Sequence, residues 1–263
     1  NTAFTHSALV AGETIGSVTI TSASGNDIDI FANAGTYTGD LQLSNATGGT
    51  FNASNYDITY VAADLLVDQA ALTVTADDRS KTYGDALNLG NSAFTSSGLV
   101  NGESIGTVTL TSANAIATGA GAGVYVDDIA ASNASGGTFD AGNYDITYQS
   151  GDLTVDQALL TVAADDKNIT LGDALPQLTQ SITGFVNGEN LGTSDVSGSG
   201  IASTTATAAS PVGDFLIESA AGNLASNNYT FVFVDGTLTI AAVNPNPNPN
   251  PNPNPNPNPN PNP

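Results

Sequence analysis

Cysteine, methionine and tryptophan are absent from these 263 residues, and histidine occurs once. Without cysteine there is no disulfide, no thiolate zinc site and no thiol nucleophile. Small extracellular domains commonly rely on disulfides, so here packing and hydrogen bonds must carry stability. Without methionine the chain is expected to be a mature or excised fragment, with any signal peptide outside it. Cations are equally scarce: 3 Lys+Arg face 25 Asp+Glu, a formal charge of −22 and a pI near 4.1. Nucleic-acid binding rests on Lys and Arg neutralising phosphates, so that class is excluded, and anionic membranes are excluded likewise. No run approaches 18 apolar residues, so no membrane-spanning helix is expected. Lys and Glu are few, while Thr, Val, Ser, Asn, Asp and Gly are plentiful. That balance favours strands over helices.

What is present is repetition. "GGTFNASNYDITY" (Gly48–Tyr60) returns 88 positions on as "GGTFDAGNYDITY" (Gly136–Tyr148). "LLVDQAALTVTADDRSKTYGDAL" (Leu65–Leu87) returns as "LTVDQALLTVAADDKNITLGDAL" (Leu153–Leu175). "ALVAGETIG", "GLVNGESIG" and "GFVNGENLG" open at Ala8, Gly98 and Gly184. An active site is needed once, whereas a building block is needed many times. The boundaries are 1–70 for a truncated repeat, 71–158 for a complete one, 159–243 for a terminal one and 244–263 for an Asn-Pro spacer. The first repeat lacks the "LTVTADD…YGDAL" opening, so the chain is expected to be part of a longer array.

Alternation gives the strands. Tyr144, Ile146 and Tyr148 share one face, and "YDITYQSGDLTV" reads as a hairpin turning at Gly151. Tyr229, Phe231 and Phe233 take the same parity in the third repeat. "NGESIG" and its relatives read as a short helical turn, with Glu near its positive end. Parity changes at "VDQA": Leu153 and Val155 are odd, Leu160 and Val162 even. A one-residue slip turns side chains to the other face, so the chain leaves one core and enters the next there. With neither Pro nor Gly in it, that linker is expected to be stiff. The expected fold is mainly β, with one short helical turn per repeat, arranged as tandem small domains in an elongated rod. Residues 244–263 are ten Asn-Pro pairs. Proline fixes φ and removes donors, and it pushes each preceding Asn to extended backbone. An extended, polyproline II-like spacer follows, reaching about 60 Å.

"ALTVTADDRSKTYGD", "SGLVNGE" and "GNYDITYQSGDLTVDQA" together resemble the mostly-β, glycine-rich repeats (MBG domains) of large bacterial surface proteins. Such domains occur in filamentous-haemagglutinin-like and other two-partner-secretion adhesins. The resemblance implies no enzymatic activity and no catalytic residues. It implies a monomeric, membrane-proximal stalk that projects a distal binding region for cell–cell or cell–matrix adhesion in biofilms. It places the chain outside the cell at a Gram-negative outer membrane. The expected partners are an outer-membrane transporter or anchor on the C-terminal side, and exopolysaccharide or neighbouring cells bound by other parts. The alternative is a carbohydrate- or matrix-binding module in its own right. The third repeat departs from the pattern, with Leu171 where the second has Tyr83.

No catalytic, cofactor-binding or metal-binding residue is assigned. Asp77-Asp78 and Asp165-Asp166, with Asp68 and Asp156 nearby, offer oxygens of the kind calcium takes. No "DxDxDG" loop is present, and Arg79 and Lys167 follow the pairs, so solvated strand ends are the plainer reading. Asn45, Asn52, Asn133, Asn168 and Asn228 begin N-x-S/T acceptors. Lys81 and Lys167 are the only lysines, and Lys167 aligns with Arg79, so a lysine cross-link common to the repeats is not expected. Asp127-Asp128 are neighbours on a strand and point to opposite faces. His6 is the only imidazole. The tyrosines of "YDITY" read as core or interface aromatics.

Overall fold

The computed structural model describes residues 3–23 and 32–243. The Asn-Pro segment lies outside the described residues. The first repeat contributes β1 (Ile15–Ser22), β2 (Gly35–Gly49) and β3 (Ala63–Val67). The second contributes β4 (Ala70–Ala76), β5 (Arg79–Thr82), β6 (Phe94–Ser97), β7 (Ile105–Thr111), the short helix α1 (Ala113–Ile116), β8 (Gly123–Gly137), β9 (Tyr144–Gln149) and β10 (Gly151–Asp156). The third contributes β11 (Ala158–Ala164), β12 (Lys167–Thr170), β13 (Gln180–Thr183), β14 (Ile201–Ser203), β15 (Gly213–Ala220), β16 (Tyr229–Val234) and β17 (Gly236–Ala241). The fold is mainly β, in tandem β-rich domains. By compactness the chain forms two units: Asn1–Lys81 with Ala86–Ala117 and Val124–Thr154, and Thr82–Asp85 with Thr118–Gly123 and Val155–Pro263.

Each complete repeat is a two-sheet sandwich. In the second repeat one sheet runs β5-β10-β8-β7 and the other β6-β4-β9. The third repeats this as β12-β17-β15-β14 and β13-β11-β16. The sheets close on alternating apolar side chains. Leu72 and Val74 of β4 meet Val108 of β7, Ala134 of β8 and Tyr144 of β9, all buried. Ile217, Leu238 and Ile240 line the matching core of the third repeat. Fully burying a Leu, Ile or Val side chain contributes about 1.5–3 kcal/mol. Among the described residues of the first repeat the strands form one sheet, β1-β2-β3, the counterpart of β7-β8-β10.

"YDITYQSGDLTV" is not a hairpin. β9 pairs in parallel with β4, Ala70 opposite Tyr144 and Val74 opposite Tyr148, whereas β10 belongs to the other sheet. The chain crosses between sheets at Ser150, and the buried positions pass from even (Tyr144) to odd (Leu153, Val155) there. The same change at Asp77-Asp78 takes the chain from β4 to β5. At "VDQA" the parity change passes from one repeat to the next, and only Gln157 separates β10 from β11. Parity therefore marks every crossing of a core, within a repeat as well as between repeats.

The "NGESIG" segment also differs from expectation. In the second and third repeats it is a turn through left-handed Asn101-Gly102 and Asn187-Gly188. Only in the first does it include a 3-10 turn, Val10–Gly12. The helical turns fall elsewhere: at Ala53–Asn55 and Ala141–Asn143, capped by the side chains of Asn52 and Asp140, and at α1, capped by Ser112.

Two irregularities bend the long strands β2 and β8. One lies where Asp64 accepts the Gly39 amide at 2.8 Å and Asp152 accepts that of Asp127 at 2.9 Å. The other is a β-bulge at Asn45 and Asn133, whose φ values are 48° and 50°. Asn tolerates this left-handed conformation because its short side chain bonds locally. Beyond each bulge comes a Gly-Gly pair with φ near 70°, and a Cβ on Gly137 would stand 2.1 Å from the Ser104 carbonyl oxygen. No other residue fits there.

The bulge frees an amide, and a tyrosine takes it. Tyr60 Oη accepts Ala46 N–H and Tyr148 Oη accepts Ala134 N–H, both at 2.9 Å. The third repeat has no such Asn bulge in β15, and Phe233 stands where Tyr148 does. Tyr148→Phe is expected to leave the Ala134 amide unpaired at a cost of about 1–3 kcal/mol. Hydrogen exchange at Ala134 should accelerate, while Phe233→Tyr should protect no additional amide in β15. Equal exchange in wild type and Tyr148→Phe would remove the hydroxyl from the account of the bulge.

Candidate functional site

The first tyrosine of each "NY" motif makes the same polar contact in all three repeats. It gives its phenolic proton to the glutamate of the preceding "GE" turn and accepts an amide from the valine before that turn. Tyr56 donates to Glu13 and accepts Val10 N–H at 2.9 Å. Tyr144 donates to Glu103 at 2.5 Å and accepts Val100 N–H at 3.0 Å. Tyr229 donates to Glu189 at 2.7 Å and accepts Val186 N–H at 3.1 Å. The left-handed Asn-Gly turn of the second and third repeats brings the carboxylate back toward the valine amide. A phenylalanine braces each ring: Phe51 on Tyr56, Phe139 on Tyr144, and Phe185 edge-on to Tyr229 with centroids 5.7 Å apart. Glu103 and Glu189 are thus tyrosine acceptors, not helix-end charges.

In the second unit Glu189 holds two tyrosines. Tyr83 donates to its other oxygen at 2.7 Å, and the Tyr83 and Tyr229 rings meet edge to face, 5.4 Å apart at 86°. Gly84 is what permits this approach: its φ is 95°, and a Cβ there would lie 2.6 Å from the Val186 side chain. Its amide reaches Thr118 O, which also accepts from Asn187 Nδ2 at 3.0 Å. The third repeat's counterpart is Leu171-Gly172, which has no hydroxyl to offer, and Gly172 has open space around it.

The hydroxyls titrate accordingly. Burial and then the Glu189 bond push Tyr229 from its ordinary 10.0 up to about 12. The Glu189 bond, then burial, raise Tyr83. Burial and Glu103 raise Tyr144, and the Glu13 bond raises Tyr56. In each case ionising the phenol would put a second negative charge against a carboxylate.

Amide side chains supply the second recurring element. Gln69 donates to the carbonyls of Gly142 and Tyr144, and Gln157 to those of Ser226 and Asn227. These glutamines sit in "VDQA" and fasten the start of β4 or β11 beside its parallel partner. Asn143 Oδ1 accepts Ala34 N–H at 2.8 Å, and Asn228 Oδ1 accepts Ala122 N–H at 2.9 Å. The Asn228 loop is itself held by Asp195, which accepts from Ser226 Oγ and from the Asn227 and Asn228 amides. Burial pushes the Asp195 carboxyl up, but those three donors outweigh it and leave it below the usual range.

The acidic pairs are strand-end caps. Asp78 accepts the Asp152 amide and Asp166 the Thr237 amide, both at 2.7 Å, where the chain crosses between sheets. Asp165 accepts from Ser181 and Thr179, and those hydroxyls hold its carboxyl below the usual range. Arg79 reaches the Leu89 carbonyl and Lys167 the Thr179 hydroxyl. Among the described residues no group of three His, Cys, Asp or Glu is placed to hold a metal ion. Lys81 is buried, its ammonium on the carbonyls of Asn114, Ala115 and Ala117 at the end of α1. Of the N-x-S/T asparagines, Asn45 and Asn133 form the bulges, Asn52 caps a 3-10 turn and Asn228 makes the bond to Ala122. His6 bonds the neighbouring Ser7 carbonyl. Sequence reasoning missed the Glu–Tyr pairing, although the signal was there: Glu13, Glu103 and Glu189 recur in step with Tyr56, Tyr144 and Tyr229.

A folded-state tyrosine pKa above its unfolded value means that folding favours the protonated phenol. The Tyr229 contribution is therefore complete below pH 10.0 and vanishes as pH rises to about 12. Circular dichroism during alkaline titration should show the third repeat losing stability across that window. Tyr229→Phe should flatten this dependence and cost about 1.5–3 kcal/mol at neutral pH, the size of a hydrogen bond to a charged group. Glu189→Ala, which orphans two phenols, should cost more than Glu103→Ala. An alkaline profile unchanged in Tyr229→Phe would count against the pairing.

A family model described as MBG domain (YGX type) matches residues 72–154 and again 160–239. No curated protein and no solved structure matches the chain. Tyr83-Gly84 is a pair of the kind that type name describes, and its tyrosine and glycine are the two residues that reach Glu189 and Val186. The matches span more than half of the chain and fall on its two complete sandwiches: the chain belongs to the YGX-type MBG domain family.

Proposed function

We propose that this chain is a stalk segment of a large secreted bacterial adhesin, with the mechanical task of holding a distal binding region away from the cell. One observation carries the reading: the same polar fastenings recur repeat after repeat and are spent on holding strands together. The phenols of Tyr56, Tyr144 and Tyr229 are bonded to Glu13, Glu103 and Glu189, and the carboxylates of Asp78, Asp166 and Asp195 to backbone amides. The short passage from β10 to β11, a single residue, leaves little slack for a load to extend. On this reading the protein is extracellular, at a Gram-negative outer membrane, and is not an enzyme. Its neighbours are a transporter or anchor on the C-terminal side and a matrix or cell-surface ligand bound by other parts of the parent. Among the described residues no helix is long and apolar enough to cross a membrane.

Single-molecule pulling on the two chain ends tests the mechanical task. The second and third repeats should unfold as separate force peaks, each releasing about 300 Å of chain at roughly 3.4 Å per residue. Extension without discrete peaks would sink the proposal. Saturable binding of one glycan on an array, lost on substitution of a surface residue, would favour a matrix-binding module instead.

A further inference from the structure

The second unit is built from more than the third repeat. It takes in Thr82–Asp85 and Thr118–Gly123, two excursions of the second repeat. The first is the turn that follows β5, with Tyr83 N–H on the Asp156 carbonyl at 2.8 Å and Asp85 N–H on that of Thr82 at 3.0 Å. The third repeat forms the same turn after β12. There Leu171 N–H meets the Ala241 carbonyl at 2.8 Å and Asp173 N–H that of Thr170 at 2.9 Å. The glycines agree as well, with φ of 97° at Gly172 and 95° at Gly84. The backbone of this turn therefore forms with leucine or with tyrosine before the glycine, and it does not need the Tyr83 hydroxyl.

What that hydroxyl meets is a surface of the third repeat. It donates to Glu189, whose other oxygen holds Tyr229. Tyr83 is 5% exposed, and its ring stands edge-on to that of Tyr229. Gly84 lies against Val186 with no room for a Cβ. The second excursion joins at the same place. Thr118 O accepts from Gly84 N–H at 3.1 Å and from Asn187 Nδ2 at 3.0 Å, and Ala122 N–H donates to Asn228 at 2.9 Å. The last bond recurs between the first and second repeats, where Ala34 N–H donates to Asn143. Glu189 and Val186 thus set a hydroxyl acceptor beside a point of close approach. They fit a tyrosine followed by a residue without a side chain.

We propose that the Val186–Glu189 turn, with Asn228 and Tyr229, is a docking face selective for a Tyr-Gly turn of the repeat before it, so that folding of the second repeat stabilises the third. Selectivity has an attractive part, the phenol on Glu189, and a repulsive part, since any Cβ at position 84 strikes Val186. A Leu-Gly turn of the kind at Leu171-Gly172 keeps the backbone and lacks the phenol, so it supplies only the steric half. Such coupling is reciprocal in free energy, and in a chain of repeats it adds a nearest-neighbour contribution to stability. Discrete force peaks test the stalk reading, whereas this coupling is read by amide exchange, so either can fail without the other.

The measurement is amide hydrogen exchange of the full chain at Ile217 and Leu238, in the core of the third repeat. Tyr83→Leu should speed exchange there about ten- to a hundredfold, the worth of a hydrogen bond to a charged group. Val74→Ala weakens the core of the second repeat. It should speed exchange at Ile217 and Leu238 when Tyr83 is present, and do so less in Tyr83→Leu. Leu171→Tyr should change neither amide. The steric half has its own readout: Gly84→Ala should speed exchange at both amides, and Val186→Ala, harmful alone, should be favourable in that background. Backbone strain at position 84 is common to both backgrounds and cancels in the cycle. An unchanged rate in Tyr83→Leu would overturn the proposal. So would a Val74→Ala effect of equal size with and without Tyr83, or additive effects of Gly84→Ala and Val186→Ala. Stabilisation of the third repeat by Leu171→Tyr would overturn it too, because the tyrosine would then act within its own repeat.

Discussion

With 25 Asp and Glu in the chain and only three Lys or Arg, the carboxylates that fasten the described residues do so through neutral donors. A carboxylate that accepts from hydroxyls and amides makes charge-assisted bonds stronger than neutral ones. Here the donors are phenols at Glu13, Glu103 and Glu189, and alcohols at Asp40, Asp128, Asp165 and Asp195. Backbone amides serve at Asp64, Asp78, Asp152 and Asp166. At these positions the bonding directions are set by backbone and hydroxyl geometry. The irregular places, bulges and sheet crossings, are where the acidic side chains gather.

The tyrosine-glutamate contact ties the two halves of a repeat. Its tyrosine begins β9 or β16, and its glutamate lies in the turn before β7 or in the corresponding turn of the third repeat. One hydroxyl thereby joins segments some forty residues apart in sequence. Such long-range fastening takes a place that a disulfide often holds in small extracellular domains. A second acceptor oxygen on the same carboxylate lets Glu189 take Tyr83 as well, so one carboxylate organises an aromatic cluster of Tyr83, Phe185 and Tyr229.

Departures between repeats follow the same logic. Where β8 has an Asn133 bulge, Tyr148 supplies a hydroxyl for the freed amide. Where β15 lacks the bulge, phenylalanine suffices at position 233. Where Val186 packs against the chain, Gly84 is required; where Gly172 faces open space, its neighbour Leu171 has no carboxylate to meet. Side-chain chemistry varies with the local backbone need, and the apolar core positions hold.

Composition and periodicity by themselves determined the strand-rich class, the recurrence of like segments and the change of buried face at "VDQA", because burial on alternate residues is a local property. Tertiary structure decided the rest. The parity change at Ser150 looks the same in sequence whether a strand turns back on its partner or crosses to the opposite sheet; only the parallel β4–β9 pairing distinguishes them. The role of Glu103 was likewise hidden. A glutamate beside an Asn-Gly turn is compatible with a helix start, and its true partner, Tyr144, is brought to it only when two sheets close on a common core.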